Sequence, residues 1–233
     1  MAWLRALVEI ILPPVCRVCA RPGEFPICRP CLDAFRLISP PWCVTCGRPL
    51  RPPAGSTTLC EACRTHAPLF SRARPAGIYE GVLRETIHAL KFGGCRAVAG
   101  PLGDLIGATV QSDLRLRADV VVPVPLHPIR HRQRGFNQSE LLARRTARVL
   151  ALPCEAGVLR RARITDAQSR LTRDAREANV GGAFVCAAAI GGRVLLVDDV
   201  MSTGFTASEC ARALRGAGAA EVIVATAAAA VLE

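Results

Sequence analysis

The stretch Val194–Thr206, VLLVDDVMSTGFT, decides the fold. Its first four residues, Val194–Val197, are all apolar, the pattern of a strand buried on both faces of a parallel sheet. Two carboxylates, Asp198 and Asp199, emerge at the strand's carboxyl end. A short loop of Ser, Thr and Gly follows, and a helix is predicted to begin near Thr206. Such a loop and helix start present backbone N–H groups to a phosphate, assisted by hydroxyls and by the helix dipole. Gly204 supplies the dihedral freedom and close approach that the loop needs. Paired carboxylates beside it suit two adjacent sugar hydroxyls, because each oxygen accepts a hydrogen bond. The stretch therefore predicts a ribose-phosphate site. A Walker B element is excluded, because the chain holds no G-x-x-x-x-G-K-[ST] partner. The pair also lies too far ahead of the helix to act as its cap.

Outward from this stretch the chain alternates between strands and helices. Leu83, Ile87 and Leu90 recur at helical spacing within Glu80–Phe92, and Gly93–Gly94 stops that helix. Val120–Val124 is nearly all valine and predicts a second buried strand, with Pro123 near its end. A Pro- and Arg-rich loop then leads to a helix over Gln138–Leu150. After VLLVDDVMSTGFT, Thr206–Arg215 reads as a helix and Glu221–Thr226 as a third strand. This order implies an α/β fold with a mostly parallel sheet, whose ligands bind at the carboxyl ends of the strands.

The amino-terminal part has a different texture. Eight of the twelve cysteines form four C-x-x-C pairs: Cys16/Cys19, Cys28/Cys31, Cys43/Cys46 and Cys60/Cys63. A two-residue gap lets one tight turn aim both sulfurs at one metal, and a second pair completes a tetrahedron. Four pairs make two zinc sites of four cysteines each, with no ligand position left open for catalysis. The spacing allows consecutive pairing of the knuckles or an interleaved one. The remaining four, Cys95, Cys154, Cys186 and Cys210, read as small buried residues.

The formal charge is +11, and two four-thiolate zinc centres at −2 each lower it to +7. The surplus is uneven: Arg130 to Arg176 holds twelve arginines against four acidic residues. Such an excess attracts a diphosphate or a nucleic-acid backbone equally well. Lys91 is the one lysine among 30 basic residues. Its compact ammonium suits phosphate as a point charge. Trp3–Leu12 is apolar but interrupted by Arg5 and Glu9, and is too short to span a bilayer. It reads as a short amphipathic helix packing on the protein itself. No transmembrane or secretory segment is expected, and the chain reads as cytoplasmic.

The thirteen residues of the opening stretch resemble the phosphoribosyl-diphosphate (PRPP) motif of type I phosphoribosyltransferases. Ser202 replaces a threonine, and Phe205 is bulkier than the small residue often found there, which raises crowding beside the phosphate. RGFNQSELL (Arg134–Leu142) follows VPVP (Val122–Pro125), and R-x-T-x-x-Q-x-x-L…R-x-x-N…F runs from Arg163 to Phe184. With Tyr79–Gly81, ALKFG (Ala89–Gly93) and the cysteine pairs, the chain resembles the ComF family over nearly its whole length.

That resemblance implies a type I phosphoribosyltransferase-like parallel sheet flanked by helices over residues 71–233. A helix and a small Cys-rich double zinc-ribbon module over 1–70 would precede it. It also implies a role in competence, the uptake of transforming DNA. By carry-over, Asp198 and Asp199 hold the ribose hydroxyls and are the catalytic residues. Met201, Ser202, Thr203, Gly204, Phe205 and Thr206 surround the 5′-phosphate. Lys91 and the loop Arg130–Arg134, Arg132 and Arg134 included, reach the diphosphate. Arg170 and Arg173 sit on a lid spanning Arg163–Asn179. His127 and His131 are either groups acting on the nucleophile or surface residues.

The implied cofactors are two structural Zn2+ and a Mg2+ that accompanies PRPP. Two readings of function follow. One is a glycosyltransferase moving phosphoribosyl to a base or amine. The other is a non-catalytic nucleic-acid-binding protein regulated by PRPP. The expected partners are PRPP, single-stranded DNA and proteins of the DNA-uptake machinery.

Overall fold

The computed structural model describes residues 13–50, 58–162 and 182–230. Four strands form one parallel sheet: β1 (Arg72–Ile78), β2 (Val120–Pro123), β5 (Arg193–Met201) and β6 (Glu221–Ala229), in the order β1-β6-β5-β2. Two short strands, β3 (Leu159–Arg161) and β4 (Phe184–Cys186), make a separate antiparallel pair. The central strands β5 and β6 alternate their side chains between two apolar layers. Leu195, Val197, Ile223 and Ala225 face one layer, and Val194, Leu196, Val222 and Val224 face the other. The first layer is filled from three helices: α3 (Gly81–Lys91) with Leu83, Ile87 and Leu90, α4 (Ala99–Gln111) with Leu102 and Ile106, and α6 (Gln138–Leu150) with Leu142. The second is filled from α7 (Phe205–Gly216) with Cys210, Ala211 and Leu214.

Helix α4 was not legible, because Gly100, Pro101, Gly103 and Gly107 depress its helix propensity. Packing explains two of these glycines. A Cβ at Gly103 would lie 2.5 Å from Arg145 Cβ, and one at Gly107 would lie 2.6 Å from Val149 Cγ1. Four residues apart on one helix face, they let α6 approach closely. The Pro- and Arg-rich loop also differs from expectation, since Pro128–Arg134 forms a short helix, α5, stopped by Gly135 in the left-handed region.

The cysteine module is built twice on one plan. A first knuckle is closed by a bridge, Val15 to Pro22 or Trp42 to Pro49. The second knuckle opens a short helix, α1 (Arg29–Asp33) after Cys28 or α2 (Glu61–Thr65) after Cys60. The module covers the free edge of β1, which would otherwise expose unpaired N–H and C=O groups. Ala73 N donates to Thr45 O at 2.6 Å, and Ile38 N to Ala76 O at 2.9 Å. Ile78 N donates to Arg36 O at 2.8 Å.

Strand β1 also carries a buried arginine. Arg74 Nη2 donates to Asp113 Oδ2 at 2.6 Å, and the guanidinium lies 4.3 Å from the centre of the Trp42 ring. Of the isolated cysteines, Cys210 is buried as expected, whereas Cys95, Cys154 and Cys186 are only partly so. Among the described residues no helix is long and apolar enough to cross a membrane. The expected helix over Trp3–Leu12 and the lid Arg163–Asn179, with Arg170 and Arg173, lie outside the described residues.

Candidate functional site

Strand β5 does not end at Val197. It stays paired with β6 through Asp198–Thr226 and on to Met201–Ala229. Asp198 and Asp199 therefore sit within the last turn of pleat, held rigidly by the ladder. Asp199 falls on the same face as Leu195 and Val197, the face that carries α3. The last residue of α3 is Lys91, whose Nζ pairs with Asp199 Oδ1 at 2.8 Å. Asp199 Oδ2 is buried and has no hydrogen-bond partner. Burial works to lower the pKa of the Lys91 ammonium, and the charge and hydrogen bond of Asp199 outweigh it, so the net direction is upward.

Asp198 is held by the first turn of α6. Ser139 Oγ donates to Asp198 Oδ1 at 2.7 Å, and the backbone N–H of Asp199 donates to the same oxygen at 2.9 Å. Burial and the neighbouring Asp199 charge push the Asp198 carboxyl up to about 7, against the pull of Ser139 and Lys91. Ser139 lies in the first turn of α6, which Asn137 fixes in place. The Asn137 side chain caps α6 by accepting from Ser139 N, while its Nδ2 donates to Val124 O just past the end of β2. The run VPVP…RGFNQS thus ties one strand end, one helix start and one carboxylate into a single unit.

These groups surround a pocket of about 370 Å³ at the carboxyl ends of the strands. Asp198, Asp199, Lys91, Met201, Ser202, Gly204 and Thr206 all line it. Gly204 has φ of 87°, a left-handed conformation that favours glycine, and serves as the N-cap of α7. The amides of the helix's first turn lie beside the pocket, an arrangement suited to an anion.

Thr203 and Phe205 line a second cleft behind the loop, not this pocket. The Phe205 ring therefore does not crowd the space beside Ser202 and Thr206. Arg130 lines the pocket, while Arg132 is exposed and does not. Arg134 packs 5.6 Å from the centre of the Phe92 ring and donates to Gln138 Oε1 at its rim. His127 caps α5 by accepting from Ile129 N, His131 is exposed, and neither lines the pocket.

Sequence reasoning missed Ser139, Gln138, Tyr79 and Arg161, all of which line the pocket. A signal existed for Ser139: a hydroxyl two residues after a capping Asn, immediately following the RGFNQ run.

The eight paired cysteines gather consecutively. The sulfurs of Cys16, Cys19, Cys28 and Cys31 lie within 4.8 Å of one another, and so do those of Cys43, Cys46, Cys60 and Cys63. A tetrahedron with Zn–S bonds of about 2.3 Å has S···S edges of about 3.8 Å. Cys19 to Cys28 at 3.5 Å and Cys46 to Cys60 at 3.6 Å fit it.

The residues matched by known families follow the same division. A double zinc ribbon domain matches residues 7–64 and a phosphoribosyl transferase domain matches residues 137–230. The DNA utilization protein YhgH of Escherichia coli (strain K12) is 33% identical over 223 residues, covering 92% of this chain and 96% of that protein. Competence protein F of Haemophilus influenzae is 30% identical over 173 residues, 71% of this chain and 76% of that one. Competence protein ComFC of Bacillus subtilis is 27% identical over 164 residues, 69% and 66% respectively. Among solved structures, the glutamine PRPP amidotransferase from B. subtilis is 26% identical with a TM-score of 0.37, covering 55% of this chain and 26% of that chain. Orotate phosphoribosyltransferase from Aeropyrum pernix is 19% identical with a TM-score of 0.32, covering 61% and 62%.

Proposed function

The chain belongs to the ComF family, a double zinc ribbon joined to a phosphoribosyltransferase-like domain, and on that premise we propose that its pocket binds PRPP with Mg2+ in the setting of DNA uptake. The observation that carries this reading is Asp199 Oδ2, a buried acceptor without a partner, in a pocket that also presents Ser202, Gly204 and Thr206. A ribose hydroxyl supplies the missing donor, and the loop supplies N–H groups and hydroxyls for the 5′-phosphate.

In this reading Asp198 and Asp199 accept from the two ribose hydroxyls and keep the surroundings of C1 anionic. Lys91 and Arg130 provide positive charge for the diphosphate, and Mg2+ would further neutralise it when bound. Arg132 and Arg134 lie on the same short helix as Arg130 and serve the diphosphate from outside the pocket lining. The cysteine module, over residues 1–70, holds two structural Zn2+ and clamps the sheet edge of the domain over 71–233.

Transfer would break the C1–O bond to diphosphate, form a bond from C1 to a base or amine, and release the acceptor's proton. A second reading is a non-catalytic nucleic-acid-binding accessory protein that PRPP regulates. It is supported by the names of the relatives and by Arg130, Arg132 and Arg134 on one short helix beside the pocket.

Diphosphate release from PRPP and Mg2+ over a panel of bases and amines separates the two. Release with any acceptor supports transfer. PRPP binding without release, with single-stranded DNA binding that falls steeply with salt, supports the accessory role. Absence of PRPP binding sinks both.

A further inference from the structure

The second cleft lies on the far side of the phosphate loop and has a volume of about 320 Å³, at the lower end of the range for small-molecule sites. One wall comes from the second cysteine ribbon and the linker after it, through Arg48, His66, Leu69 and Phe70. The other comes from the loop and α7, through Phe205 and Glu209. Phe70 is buried, and Leu69 is 44% exposed at the surface. Two aromatic rings, with Leu69, Pro68 and Met201, give the cleft a largely apolar, ring-sized interior.

Its polar groups are unequal. Glu209 is already occupied, accepting from Gly182 N at 2.8 Å and pairing with Arg212 at 3.0 Å. Arg48 lines the cleft and its Nε is buried with no hydrogen-bond partner, so among the described residues the cleft holds an unused donor and no unpaired carboxylate. A phosphate would sit beside the Glu209 charge, which repels it, whereas a neutral acceptor oxygen on a flat ring meets the Arg48 guanidinium and the apolar walls without that penalty.

We propose that this cleft is a second ligand site, for an uncharged heteroaromatic ring bearing a carbonyl, such as an oxopurine or pyrimidine base carried as a nucleoside. The ring packs against Phe70 and Phe205, and its carbonyl accepts from Arg48. Gly204 and Met201 line both cavities, and Thr203–Phe205 form the wall between them. A ring in the cleft therefore braces the phosphate loop from behind. The site is not an acceptor pocket, because the loop backbone separates it from the ribose position. Coupling to PRPP rests on the proposed function; binding to the cleft does not.

The test is calorimetry on the full chain with inosine, uridine and adenosine as probes. Inosine and uridine carry a ring carbonyl and adenosine does not. One hydrogen bond to a charged donor corresponds to about a tenfold difference in affinity. Inosine or uridine should bind about tenfold more tightly than adenosine, and Arg48→Gln should erase that difference. Leu69→Asp, a change at the surface, should weaken all three. PRPP with Mg2+ should strengthen inosine binding by the same factor as inosine strengthens PRPP binding.

Inosine binding that survives Asp198→Asn/Asp199→Asn while PRPP binding is lost places the two ligands in separate sites. If the wild type binds inosine but not PRPP, the cleft stands and the PRPP reading falls. Failure of all three nucleosides to bind overturns the proposal. So does indifference to Arg48→Gln and Leu69→Asp, or displacement of inosine by PRPP.

Discussion

Replacing Ser139 by alanine isolates one link in the site. Ser139 Oγ donates to Asp198 Oδ1 at 2.7 Å, and Ser139 is only 1% exposed. A hydrogen bond to a charged group contributes about 1.5–3 kcal/mol. The backbone N–H of Asp199 continues to serve the same oxygen, so the lower figure applies. That is about one unit of upward movement in the Asp198 ionisation. The starting point is already about 7, set by burial and the Asp199 charge. At neutral pH the ionised fraction of Asp198 would fall from about one half to about one tenth.

The recognition of ribose hydroxyls uses the ionised form, so affinity rises with pH through the carboxyl's range. In Ser139→Ala, ribose 5-phosphate affinity should drop about fivefold at pH 7 and return to the wild-type level by about pH 9. Calorimetric titration from pH 6 to 9 measures this, with Asp198→Asn as the variant whose profile lacks this rise. The same raised carboxyl affects folding in the opposite sense. Its contribution to stability is full below the ordinary aspartate range and is lost as pH rises through about 7. A loss of affinity equal at every pH, or no loss at all, refutes the argument that Ser139 acts through the charge of Asp198.

Metal analysis of the purified chain should find about two zinc ions, one for each group of four thiolates, and stripping them with a chelator should unfold the ribbons; one ion or none contradicts the ligand sets. Arg74→Leu removes a partner from a pair whose side chains are 5% and 11% exposed. Breaking a buried pair costs about 3–5 kcal/mol, and because Arg115 still holds Asp113 the loss in urea denaturation should be about 2–3 kcal/mol. A change below about 1 kcal/mol would mean the latch between Trp42, β1 and Asp113 is not structural. Gly204→Ala should cost about 1–2 kcal/mol and weaken ribose 5-phosphate binding, because φ is 87° while the new Cβ would meet only the Phe70 ring at 3.7 Å. A thermal midpoint and affinity unchanged from the wild type would contradict it.

The sequence made the buried strands and the cysteine pairs legible because each is specified locally. Val194–Val197 and Val120–Val122 need two apolar faces wherever they sit, and C-x-x-C aims two sulfurs at one point. Strand β1 was hidden because RARPAGI reads as a polar, proline-broken segment. Arg74 becomes a core residue only through Trp42 and Asp113, one from the cysteine module and one from the turn after α4. Pro75 is tolerated because β1 is the sheet's last strand.

The ends of β5 and β6 ran further than predicted, since Ala227–Ala229 carries no strand signal of its own and takes its conformation from pairing. At the site, the loop and carboxylates were readable from one segment. The pairing of Ser139 with Asp198 and the direction of Phe205 were not, because the first depends on how α6 packs on the sheet and the second on the ribbon and linker behind the loop.

The central claim is that Asp198, Asp199 and the loop Met201–Thr206 bind PRPP. Titrating PRPP with Mg2+ into the full chain by calorimetry, for the wild type and for Asp198→Asn/Asp199→Asn, tests it most directly. One PRPP should bind per wild-type chain and none detectably per double variant, with both proteins folded to the same thermal profile. A wild type that does not bind, or a double variant that binds equally well, would contradict the account.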